Sequence, residues 1–196
     1  IKLNFKESVL RKGEVNLRYK APGLLSSKAS VTRIYHNKTD YTAMNNLLAK
    51  FTSYILSNRY LKSIREEKGG TYHVGVISFL SRNPAPTASV EIAFDTDPVL
   101  VDELLNVVQE DIQNLVTYGP TENEISEIKL YLEKRFQDRK KNISWNNIIS
   151  NALQNEPFFD LEELSLLDKI NIQNVHQFAK SIFQTNNKMT FVFEPQ

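Results

Sequence analysis

Hydrophobic positions along this chain follow two spacings, an alternation that reads as strands and a three-to-four repeat that reads as helices. Ala29, Val31, Arg33 and Tyr35 alternate with Ser30, Thr32, Ile34 and His36, which predicts a short strand. Asp40 can then cap a helix in which Met44, Leu47, Leu48, Phe51, Tyr54, Ile55, Leu61 and Ile64 recur at helical spacing. Tyr41–Ile64 therefore reads as one long amphipathic helix, stopped by Gly69 and Gly70. Alternation returns in Thr71–Leu80, with Tyr72, Val74 and Val76 on one face and His73, Ile77 and Phe79 on the other. A loop with Pro84 and Pro86 leads to Thr87–Phe94, where Ala88, Val90, Ile92 and Phe94 alternate with more polar neighbours. Two such runs joined by a short turn-rich loop predict an antiparallel hairpin.

The second half is helical. Asp97-Pro98 is an N-cap followed by proline at the first helical position, and the apolar series from Val101 to Leu115 runs to Gly119-Pro120. Thr121 and Glu124 have capping-box spacing ahead of Ile125, Ile128, Leu132 and Phe136. Shorter helices are predicted to start at Ser144, Asp160 and Asn171, and Met189–Phe193 closes the chain as a strand. Before all this, Ile1–Phe5 and Val15–Tyr19 alternate as strands would, interrupted by Gly13 and Pro22-Gly23. Residues 1–28 are expected to be a lead-in segment or edge hairpin, and residues 29–196 one α+β domain. Its mainly antiparallel sheet would be covered on one face by helices, with an extra helical segment in the second half.

Composition narrows the function classes. Apolar residues make up 41% and charged ones 24%, a mix able to bury a core. Lys+Arg at 24 nearly cancels Asp+Glu at 23, and no basic stripe stands out, which argues against nucleic acid or a membrane surface as partner. The absence of cysteine removes thiol catalysis, disulfides and cysteine-bound zinc. The first residue is Ile1 instead of Met, so the chain is expected to be a trimmed piece, and a missing signal peptide leaves the compartment open.

A hydrolytic zinc site normally needs two histidines one helical turn apart with a glutamate between them. His36, His73 and His176 have no such neighbours, so neither a metal ligand set nor a catalytic residue is expected in this chain. No glycine-flanked serine sits at a strand-to-helix turn, and the Gly69-Gly70 pair ends a helix instead of opening one over a phosphate. One segment is unusual: Arg65 and Tyr72 bracket a sharp helix-to-strand turn and can converge on one patch. Ordinary chemistry also accounts for it, with a basic residue in a last helical turn, a glycine C-cap and a strand tyrosine. Such a reversal predicts a positive φ at Gly69 or Gly70.

The run Leu61-x-x-Ile64-Arg65-Glu66-Glu67-Lys68-Gly69-Gly70-Thr71-Tyr72-x-Val74 resembles the signature of the carboxy-terminal, non-zinc-binding domains of the insulinase (pitrilysin-like) zinc metallopeptidases. Asn45, Leu47 and Leu48 on the preceding helix, the Asp-Pro helix start, and Gly119-Pro120-Thr121-Glu122-x-Glu124-Ile125 match in order. Lys12-Gly13-Glu14 resembles the start of the family's domain. The resemblance implies a peptide chamber in which a separate domain, of the same or a partner chain, carries a His-x-x-Glu-His zinc helix. It implies that Arg65 and Tyr72 bind substrate, that Gly69 and Gly70 form the backbone turn, and that zinc belongs to the partner domain and none to this chain. The substrate would be a peptide or small protein, and a periplasmic or secreted setting follows only by analogy. The alternative from the same family is an inert scaffold subunit, which has no need of the Arg65 and Tyr72 pair. A ferredoxin-like RNA-binding module has a similar topology but needs a basic, aromatic-rich strand surface that is absent.

Overall fold

A computed structural model describes residues 11–22, 27–67, 71, 73–141, 149, 159–185 and 187–195. Its strands are β1 (Glu14–Ala21), β2 (Ala29–Lys38), β3 (Val74–Ser81), β4 (Thr87–Thr96) and β5 (Lys188–Pro195). They form one sheet in the order β1-β5-β2-β4-β3, antiparallel throughout except for the parallel pair of β1 and β5. The helices among the described residues are α1 (Ala43–Tyr60), α2 (Val101–Tyr118), α3 (Glu122–Lys141), α4 (Phe159–Leu166) and α5 (Ile172–Phe183).

Register decides which side chains face the helices. Val192, Val31, Phe94 and Val74 stand opposite one another across β5, β2, β4 and β3, and the next inward row is Thr190, Arg33, Ile92 and Val76. These rows are buried or half-buried under Phe51, Ile55, Tyr60, Leu104, Ile112 and the other apolar positions of the helices. The opposite face carries Leu17, Tyr19, Phe193, Ile77 and Phe79, between 37% and 53% exposed, so apolar side chains there remain in contact with water. Tyr19 and Phe193 stack at 5.6 Å.

Local signals match most helix ends. Asp97 Oδ1 accepts from Val99 N and starts a short 3-10 turn, Pro98–Leu100, that feeds α2. Thr121 Oγ1 accepts from Glu124 N while Glu124 Oε2 accepts from Thr121 N, the expected capping box. Asn171 and Asn174 form another for α5. The start of α1 differs from expectation. Thr42, with extended backbone, is the N-cap, and its hydroxyl accepts from Asn45 N at 3.1 Å. Asp40 contributes its carbonyl instead, accepting from Thr42 N and from Asn45 Nδ2. The helix therefore begins at Ala43, because a cap oxygen must reach the amide three residues on and Thr42 satisfies that geometry first.

Val15–Tyr19 lies in β1, which pairs with the far end of the chain through β5. Gly13 N donates to Asn187 Oδ1 and Gly13 O accepts from Lys188 N where the two strands begin. Ile1–Phe5 and the helix start expected at Ser144 lie outside the described residues.

Candidate functional site

The unusual sequence segment sits where α1 leaves the helix layer and returns to the sheet. At Tyr60 the α-helix widens into a π-helical stretch, Leu61–Glu67, which contains the backbone of Arg65. Such widening is uncommon and is concentrated at functional positions. The exit is fixed on both sides of the segment. Tyr60 is fully buried, its hydroxyl donates to Val108 O at 3.2 Å, and burial pushes its pKa well up. Ser63 Oγ lies 2.8 Å from Asp111 Oδ2 on α2, and Ile64 is fully buried. Beyond the turn, buried Thr71 uses its hydroxyl to accept from His73 N and donate to His73 O, which leads the chain into β3. Gly69, Gly70 and Tyr72 lie outside the described residues, so their expected turn and contact with Arg65 stand as expectations.

A second tie joins this exit to the α2–α3 connection. Arg59, in the last turn of α1, donates from Nε to Glu124 Oε1 at 2.8 Å and from its terminal nitrogen to Glu124 Oε2 at 3.0 Å. The same nitrogen lies 3.3 Å from the Gly119 carbonyl oxygen. Burial raises the Glu124 pKa, but the Arg59 and Thr121 hydrogen bonds outweigh it and hold the carboxyl below its ordinary range. The two stretches that carry the family resemblance, far apart in sequence, thus meet at one ion pair. Arg59 escaped the sequence reading because its partner is 65 positions away and no local periodicity marks it.

The histidines stay apart in role. His36 is buried on β2 with its Nε2 lacking a hydrogen-bond partner, His73 is exposed, and His176 Nε2 lies 2.8 Å from the Val116 carbonyl oxygen. Among the described residues no three His, Asp or Glu side chains gather as a metal site would require, so these residues do not fit a zinc ion. No helix among them is long and apolar enough to cross a membrane.

Comparison with known proteins gives one family and a set of shared folds. A family model described as the peptidase M16 inactive domain matches residues 5–132. No curated protein matches the sequence. The solved periplasmic protease PqqL from Escherichia coli is 22% identical with a TM-score of 0.75, over 96% of this chain and 21% of that one. The ferredoxin protease FusC, solved as a point mutant in complex with Arabidopsis ferredoxin, is 19% identical with a TM-score of 0.76, over 95% and 21%. A peptidase M16 inactive domain from Pseudomonas fluorescens is 17% identical with a TM-score of 0.73, over 100% and 46%. At these identities the structural likeness establishes fold, and the chain spans less than half of each relative.

Proposed function

The chain belongs to the peptidase M16 inactive-domain family, and from that premise we propose that it is the substrate-contacting, non-catalytic part of a zinc endopeptidase. The zinc resides on a separate domain, of the same or a partner chain, and this domain closes a peptide chamber opposite it. The observation that carries the reading is the π-helical exit at Leu61–Glu67. It brings Arg65 to the end of a helix pinned by Tyr60, Ser63 and Ile64, and a rigid support is what a substrate-gripping side chain requires.

Arg65 and Tyr72 supply hydrogen-bond donors to peptide carbonyl oxygens. A guanidinium and a phenol placed on one carbonyl also stabilise the negative charge that develops there as the peptide bond is attacked. The apolar sheet face, with Ile77 and Phe79 beside the β3 edge, supports contact with extended peptide. Relatives named as a periplasmic protease and a ferredoxin protease support a peptide or small-protein substrate and a periplasmic or secreted setting. The test is peptide-cleavage kinetics of Tyr72→Phe and Arg65→Ala in the complete enzyme, beside their melting curves. Unchanged turnover in both variants would leave an inert scaffold as the better description.

A further inference from the structure

The two edges of the sheet are built differently. An open edge strand invites pairing with another chain, and proteins ordinarily blunt it with charge, proline or a bulge. β1 follows that rule with Glu14, Arg18 and Lys20. β3, the other edge, has the sequence Val-Gly-Val-Ile-Ser-Phe-Leu-Ser, eight residues without a charge or a proline. Beside Val76–Ser78 a groove of about 250 Å³ separates this edge from α3.

The groove has a charged end. Arg135 on α3 donates from one terminal nitrogen to the hydroxyls of Tyr54 and Tyr131, and the two tyrosine rings meet edge to face at 5.2 Å. Phenol oxygens orient a guanidinium without neutralising it. The other cation of the groove, Lys50, is matched by the fully buried Glu163 at 2.5 Å. Among the described residues Arg135 has no carboxylate partner, and no carboxylate lines the groove.

We propose that the β3 edge and this groove bind an extended peptide by strand addition, with Arg135 receiving an acidic side chain of that peptide. Side chains of an added strand alternate between the two faces of the sheet. The residue facing the groove would be Asp or Glu, and its neighbours would be apolar, packing against Ile77 and Phe79 on the outer face, which are 53% and 48% exposed. The bound segment therefore has an apolar–acidic–apolar pattern. This goes beyond the role assigned to Arg65 and Tyr72 and needs no zinc domain, so either reading can fail alone.

The experiment uses this chain and a fluorescein-labelled peptide of alternating valine and threonine with one central glutamate, read by fluorescence anisotropy. A twin peptide carries glutamine at the same position. The glutamate peptide should bind about tenfold more tightly, as one preorganised charge-assisted pair at a partly wet site allows. That advantage should vanish in Arg135→Gln, whose fold is checked by circular dichroism, and shrink as salt is raised. Of two further twins, N-methylated at odd or at even positions, one should lose binding and the other keep it, because only one edge of the added strand meets β3. Equal affinity for the glutamate and glutamine peptides, a preference that survives in Arg135→Gln, or any other N-methylation pattern would overturn the proposal.

Discussion

His176 packs directly on Gly119: its Cγ and Nδ1 stand 3.1 Å from the place a β-carbon on that glycine would occupy, while its Nε2–H donates to Val116 O at 2.8 Å. Gly119 also has φ of 78°, in the region that L side chains rarely adopt. One contact thus joins the end of α2 to α5 and explains both a glycine at that stop and a histidine that has no chemical role.

Gly119→Ala should destabilise the chain by about 1–3 kcal/mol, from backbone strain together with the displaced imidazole. Adding His176→Ala should relieve the crowding and leave the strain, so the double variant should be less destabilised than the sum of the two single changes. Urea unfolding of the four proteins measures this. Strict additivity would refute the packing account.

Glu124→Gln removes the charge that holds Arg59 and should cost about 1–3 kcal/mol at neutral pH. The Glu124 carboxyl sits below its ordinary range when folded, so its contribution is present above the unfolded carboxylate pKa and is lost as pH falls through the lower folded value. The stability gap between wild type and Glu124→Gln should therefore close on acidification below about pH 4.5. A gap that stays constant down to about pH 2 would contradict the assignment.

Tyr72→Phe in the complete enzyme should leave the melting temperature within a degree or two and lower turnover about a hundredfold, the worth of one hydrogen bond to developing charge. Arg65→Ala should weaken both KM and turnover, since a guanidinium grips the peptide before and during reaction. A fall in melting temperature that accounts for the lost activity would instead mark both residues as structural.

The chain by itself should retain no stoichiometric zinc after dialysis and should not cleave a quenched peptide. Three histidines without ligand spacing motivate this, together with the lack of a three-ligand cluster among the described residues. One tightly held zinc per chain would defeat the idea.

Where structure was legible in the sequence, the signal was local. The alternation of Ala29–Tyr35, the helical spacing from Met44 to Ile55, the Asp97-Pro98 start and the Thr121–Glu124 box each act within four residues, which is the reach of strand pleat, helix turn and side-chain cap. The same locality made Asp40 and Thr42 hard to separate, because both carry a capping oxygen and only the path of the chain out of β2 selects Thr42. Tertiary structure decided the pairing of β1 with β5, the bond between Arg59 and Glu124, the fit of His176 on Gly119, and the exposure of an uncharged β3 at the sheet edge. None of these has a period or a spacing. Each joins residues that only the packing of the whole domain brings within a few ångströms, so the sequence determined the elements and the core faces, and the fold determined which distant side chains meet.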